Sequence, residues 1–161
     1  MHRFFSGNPI DENKPVIING DEAYHALRVL RLNSGDRALV FDGNGKEWEM
    51  EIISANAGKI EGRILSEKVK DTETKVAITL AQAIPRGEKM DFLLQKGTEL
   101  GIKNFQPLIT SRTVVRLTSD DFSFKQARWQ RICLEATKQC GRVVPPKVFL
   151  PLEVKKFTAG F

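Results

Sequence analysis

The sequence predicts a small β-barrel followed by an α/β domain built on a parallel sheet. Three observations carry this prediction. Short apolar or alternating runs, separated by turn residues, recur through the first 70 positions, as in a small barrel. Lys68–Lys75 (KVKDTETK) is polar and reads as a linker, with a boundary near residue 72. Val76–Val115 then reads strand, loop, helix, strand, and two strands joined by a helix almost always pair parallel.

In the first domain, residues 1–72, Met1–Phe5 is a candidate first strand. Asp21 is placed to cap a helix over 21–30, with Ala23, Ala26, Leu27 and Leu30 at helical spacing. Asn33-Ser34-Gly35-Asp36 has turn chemistry, and Arg37–Asp42 reads as a strand. Gly43-Asn44-Gly45-Lys46 turns the chain into the alternating run Glu47–Ala55, and Gly58-Lys59 turns it again into Ile60–Glu67. In the second domain, residues 73–161, Val76–Ile84 reads as a strand buried on both faces. A helix over Lys89–Leu100 places Met90, Leu93, Leu94, Gly97 and Leu100 on its apolar side, with Gly101 ending it. Phe105–Ile109 is a second strand, and Arg116–Phe124 a loop. A second helix, Phe124–Gly141, carries Trp129, Ile132, Cys133, Ala136 and Cys140 on one stripe. Lys147–Leu150 is a third strand, and Leu152–Phe161 is too short for a further β-α unit. Three strands and two helices make half of a doubly wound sheet, whose open edge and face call for another chain to cover them.

Charge is unevenly spread. Residues 1–70 hold 10 Lys+Arg against 11 Asp+Glu, and residues 71–161 hold 15 against 9. The second half is therefore basic, which suits a polyanion or a solvated basic surface. No run of about 18 apolar residues occurs, and the first residues lack a signal-peptide core, so a cytoplasmic protein is expected. Cys133 and Cys140 on one helix would stand roughly 10 Å apart at about 1.5 Å per residue, too far for a disulfide. Neither histidine is near a cysteine in sequence, so no metal site is expected. No nucleotide-binding, serine-hydrolase or zinc-protease motif is present.

The arginines carry more information. Arg28 and Arg31 are three residues apart on one helix end, where they either straddle phosphates or stabilise the helix dipole. His25 precedes them. Ligands of parallel sheets bind beyond the carboxyl ends of the strands. Arg86 follows the first such end, and Arg112 follows the second. Glu135, Gln139 and Arg142 lie off the apolar stripe of the second helix, and Lys89, Lys96 and Glu99 on the polar face of the first. Gathered at one end of a sheet, these residues would form a basic site with a carboxylate.

Gln95-Lys96-x-Thr98-Glu99-Leu100-Gly101 and Glu135-Ala136-x-x-Gln139-x-x-Arg142, with HALRVLRLNSGD and FQPLITSRTVV, resemble the bacterial RsmE-type methyltransferases. The resemblance runs in order from Met1 to about Pro151. It implies a PUA-like barrel that holds RNA, then the first part of a SPOUT-type α/β domain. It also implies S-adenosylmethionine as cofactor, N3 of a uridine in 16S ribosomal RNA as target, and a homodimer. Arg112, Arg142 and Glu135 become the candidate catalytic residues. His25, Arg28, Arg31, Arg86, Lys89, Lys96 and Gln139 become candidate RNA contacts. The family's Gly-Pro-Glu-Gly-Gly loop and Leu-Gly-x-Arg segment, which hold the cofactor, do not occur in residues 1–161. The SPOUT part is therefore expected to be truncated, the cofactor residues to lie mainly beyond Phe161, and the 161 residues to be inactive alone. A non-catalytic RNA-binding module is the alternative.

Overall fold

A computed structural model describes residues 1–56, 58–68, 72–111, 113 and 119–159. They fall into two compact units, Met1–Thr72 and Glu73–Phe161.

Unit 1 contains β1 (Arg3–Phe5), β2 (Val16–Ile18), α1 (Gly20–Tyr24), a π-helical turn (His25–Val29), β3 (Arg37–Phe41), β4 (Glu47–Asn56) and β5 (Lys59–Lys68). The sheet order is β1-β3-β4-β5-β2, an open path that makes a half-barrel rather than a closed barrel. β1 pairs parallel with β3, and the other pairs are antiparallel. One face of the sheet buries Phe4, Ile18, Val40, Trp48, Met50, Ile52 and Ile60, and Ala23 and Ala26 close the core from the helical segment. Small residues at these two positions let the helix approach closely. β2 has no counterpart in the sequence reading, because three apolar residues between Pro15 and Asn19 are too few to set a period. The cap position belongs to Asn19, not Asp21, and the regular helix stops at Tyr24, where the wider π turn takes over.

Buried charge also shapes this unit. Arg3 donates to the fully buried Glu47 at 2.6 Å and lies over the Phe41 ring at 5.0 Å. The guanidinium supplies the charge that a carboxylate in the sheet interior requires.

Unit 2 contains β6 (Thr79–Ala83), α2 (Lys89–Glu99), β7 (Asn104–Ile109), α3 (Ser119–Cys140), β8 (Lys147–Val148), β9 (Leu152–Glu153) and α4 (Val154–Thr158). β7 pairs parallel with β6 on one side, and with β8 and then β9 on the other. The third strand is thus two short pieces, interrupted at 149–151. The helices pack on one face through Met90, Leu94, Trp129 and Cys133, against Ile84, Phe105 and Val148. Burial pushes the Cys133 thiol up to about 11, so it serves as packing rather than as a nucleophile.

The structure corrects several sequence expectations. The first strand of this unit is not buried on both faces, since Val76 is 67 % exposed and β6 is an edge strand. Leu100 and Cys140 are exposed, past the ends of the apolar stripes of α2 and α3. α3 begins at Ser119, within the stretch read as a loop. Residues 73–75, read as linker, are docked: the Thr74 hydroxyl donates to the Gly101 carbonyl at 3.2 Å. Gly101 ends α2 with φ +91°, and a methyl group there would collide with Thr74 Cγ2.

Inside α2, a Cβ on Gly97 would lie 2.7 Å from Phe105 Cζ and 2.8 Å from Cε1. Alanine is usually about 1 kcal/mol better than glycine within a helix. Here overpacking against a fully buried ring reverses the sign. Gly97→Ala is expected to destabilise unit 2 by roughly 1–3 kcal/mol in denaturant unfolding; equal or increased stability would contradict the packing described.

Candidate functional site

Chain direction decides which residues share an end of the parallel sheet. β6 and β7 run the same way, so α2 must run back between them, and α3 runs back before β8. Arg86 and Lys89, between β6 and the start of α2, are exposed at the carboxyl end of the sheet. Arg112 follows β7 at that end by sequence, but lies outside the described residues. The Thr110 amide donates to the Thr113 hydroxyl at 2.9 Å and the Thr113 amide to the Thr110 carbonyl at 3.0 Å, closing a turn directly beyond β7.

The carboxyl ends of α2 and α3 lie at the opposite end. Lys96 is exposed there and pairs with Glu99 at 2.7 Å. Arg142 is buried, 4 % exposed. Its Nη1 donates to the Thr98 and Ile102 carbonyls at 3.0 and 2.8 Å, and its Nε and Nη2 donate to Glu73 Oε2 at 3.2 and 2.6 Å. Glu73 Oε1 also accepts from the Val143 and Val144 amides at 3.3 and 3.2 Å. Burial pushes the Glu73 carboxyl up, but the hydrogen bonds and charge of Arg142 outweigh it and hold the group below the usual carboxylate range. Arg142 therefore does not stand with Arg86 at one tip of the sheet, as the sequence reading that gathered these residues at one end expected. Each helix returns the chain to the amino end of the next strand, and that end needs a donor for the carbonyls left by α2.

Glu135 and Gln139 do come together. They line a groove of about 850 Å³ between α2 and α3, with Glu88, Phe92, Gln95 and Arg131. Core residues of both helices face the sheet, so the groove opens away from it. Arg128 grips both oxygens of Asp91 across the two helices. Glu135 is exposed and pairs with Lys138 at 2.6 Å.

A separate basic cluster lies in unit 1. Arg28 and Arg31 line a cavity of about 520 Å³ with Tyr24, Leu27, Leu32, Asn33, Ala55, Asn56 and Gly58. His25, exposed on the same helical segment, is not among the lining residues. Tyr24 and the two asparagines were not singled out from the sequence. The available signal was the i, i+4 spacing of Tyr24 and Arg28, which puts ring and cation on one helix face.

Comparison with known proteins identifies the chain. Residues 72–161 match the model of the RNA methyltransferase domain, and residues 18–65 that of the RNA methyltransferase PUA domain. The chain belongs to the RNA methyltransferase family. Among its relatives, ribosomal RNA small subunit methyltransferase E of Bacillus subtilis is 31 % identical over 92 % of this chain and 59 % of its own length. The protein of that name from Synechocystis is 34 % identical over 88 % of this chain and 45 % of its own. The structure of methyltransferase E from Neisseria gonorrhoeae bound to S-adenosyl methionine superposes with a TM-score of 0.92 at 33 % identity, over all of this chain and 66 % of that one. A putative methyltransferase from Legionella pneumophila, in complex with the same cofactor, gives a TM-score of 0.92 at 29 % identity, over 99 % of this chain and 66 % of that one. The chain thus spans less than two thirds of the relatives it matches. The resemblance to RsmE-type methyltransferases, read from the sequence, is borne out by these relatives, and so is the pairing of a PUA-like unit with a parallel-sheet unit.

The Glu73–Arg142 arrangement makes a pH-dependent prediction for this chain. Glu73→Gln leaves a buried guanidinium without its counter-charge and is expected to cost roughly 3 kcal/mol at neutral pH. A depressed carboxyl pKa stabilises the fold above the ordinary carboxylate range, and that contribution is lost as pH falls through the folded value. The gap between wild type and variant, measured by urea unfolding, should therefore narrow below about pH 4. A gap independent of pH would overturn the assignment.

Proposed function

We propose that the protein methylates N3 of a uridine in 16S ribosomal RNA, with S-adenosylmethionine as the methyl source. The observation that supports this most is the superposition of the whole chain on a cofactor-bound small subunit methyltransferase E. A ribosomal target puts the work in the cytoplasm. A homodimer belongs to the same reading, because Phe92, 65 % exposed beside the α2–α3 groove, gives a second copy apolar surface to cover.

The reaction requires N3 to lose its proton while charge grows on the flanking uracil oxygens. A guanidinium suits those oxygens, since it stays protonated and donates in a fixed fork. Arg112, next after the β7 end, is our candidate for that task. Arg142 is better assigned to positioning, because its donors already serve Glu73 and two carbonyls. Glu135 faces the α2–α3 groove with Gln139, so its suggested part as a base requires that groove to meet the RNA. Arg86 and Lys89 would hold RNA phosphates at the tip of the sheet, and Arg28 and Arg31 would do so in unit 1. His25, Lys96 and Gln139 are exposed and complete the proposed RNA contacts.

Among the described residues at the carboxyl edge of the sheet, the Thr110 and Thr113 hydroxyls lie 3.1 Å apart and engage each other. Residues 1–161 carry neither a Gly-Pro-Glu-Gly-Gly nor a Leu-Gly-x-Arg segment, which supports assigning them to RNA contact, with no turnover of their own. The rival reading, a non-catalytic RNA-binding module, draws on the same engagement of Arg142.

Three measurements test the proposal. Calorimetric titration of S-adenosylmethionine into the 161-residue chain should give no binding isotherm, whereas a defined stoichiometry would place a complete cofactor site within it. RNA affinity should fall with salt, and Arg86→Ala with Lys89→Ala should lower the log–log slope by roughly 1.4 to 1.8, at 0.7–0.9 per phosphate contact. An unchanged slope would remove both residues from the RNA path. Incubation of a chain of the relatives' full length with 16S ribosomal RNA should yield N3-methyluridine by mass spectrometry, and a different modified base would overturn the assignment.

A further inference from the structure

Resting on the RNA reading above, we propose that unit 1 captures one unpaired ribonucleotide in the cavity beside the π-helical turn, and so selects single-stranded RNA over a duplex. The cavity, about 520 Å³, lies within the roughly 300–1,000 Å³ typical of small-ligand pockets. Its walls combine three chemistries that a nucleotide needs. Tyr24, Leu27, Leu32 and Ala55 are apolar or aromatic, Arg28 and Arg31 are cationic, and Asn33 and Asn56 carry amides.

The charge arrangement points to an anionic occupant. Unit 1 has five arginines. Arg3, Arg37 and Arg63 are paired with Glu47, Glu49 and Glu51. Among the described residues, Arg28 and Arg31 have no carboxylate partner, and both face the cavity. Two guanidiniums without a carboxylate partner, three residues apart in sequence and lining one cavity, suit phosphate oxygens. A helix-dipole role explains Arg28 at the end of the helical segment, but not Arg31. That residue sits past the helix with φ +56°, the only non-glycine among the described residues with positive φ. Such a conformation is strained for a residue with a side chain.

The aromatic wall points to a base. Tyr24 is 64 % exposed, and its ring has no aromatic partner among the described residues. An exposed ring beside unpaired cations is the platform on which unpaired bases stack. The amides are already oriented: Asn33 Nδ2 donates to the Arg31 carbonyl at 2.8 Å, and Asn56 Nδ2 to Ser54 Oγ at 3.3 Å. Their oxygens can accept from a base edge without further ordering. A paired base cannot enter such a concavity unless it first leaves its helix, which costs unstacking energy.

The test uses the 161-residue chain and a ten-nucleotide RNA carrying one 2-aminopurine, alone or annealed to its complement. The single strand should bind at least tenfold more tightly than the duplex, with the fluorophore quenched. Tyr24→Ala should abolish the quenching and weaken binding roughly tenfold, while Tyr24→Phe keeps both. Arg28→Gln with Arg31→Gln should flatten the salt dependence. Equal affinity for both RNAs without quenching, or quenching that survives Tyr24→Ala, overturns the nucleotide pocket and leaves the RNA reading standing. Failure to bind either RNA overturns both.

Discussion

The contact between Glu73 and Arg142 ties together four pieces of unit 2: its first residue, the end of α2, the approach to β7 and the loop after α3. A guanidinium enclosed by backbone would carry a heavy desolvation cost alone. Here every nitrogen has an acceptor, and the carboxylate in turn accepts two amides of the 143–144 segment. The parallel sheet requires all its strands to start from this end. The ion pair fixes where they start, which leaves the carboxyl edge free to vary in chemistry.

Unit 1 uses charge in two ways. Along its strands, Glu47, Glu49 and Glu51 each take a cation, so the sheet presents neutralised charge. On the helical segment the cations stand without such partners. The contrast between the paired strand arginines and the two cavity arginines is the basis on which we propose a binding surface within this small fold.

The architecture was legible in the sequence because period and punctuation agreed. Alternation in Glu47–Ala55, the helical spacing of Met90, Leu94 and Gly97, and the glycines at 101 and 141 each imply their element from local physics. β2 and the π turn were not legible, since three residues set no period and a π turn has no spacing of its own. The site was less legible than the fold. Arg142 was read from its distance to a motif, whereas its place follows from the direction in which α3 returns the chain. Glu73 was hidden by its polar neighbours: a charged stretch reads as solvated until a buried partner, 69 positions away, is known.

Each unit is closed by an ion pair between distant positions, Arg3 with Glu47 and Glu73 with Arg142, 44 and 69 residues apart. In a chain growing from the ribosome, the earlier partner emerges first and stays hydrated until the later one arrives. At roughly 5–20 residues per second the second interval lasts about 3 to 14 seconds. During that time β6, α2 and β7 are exposed while the lower end of their sheet is still unclosed. A chain of this family thus has a nascent form in which the amino end of its second sheet stays open until residue 142 has left the exit tunnel.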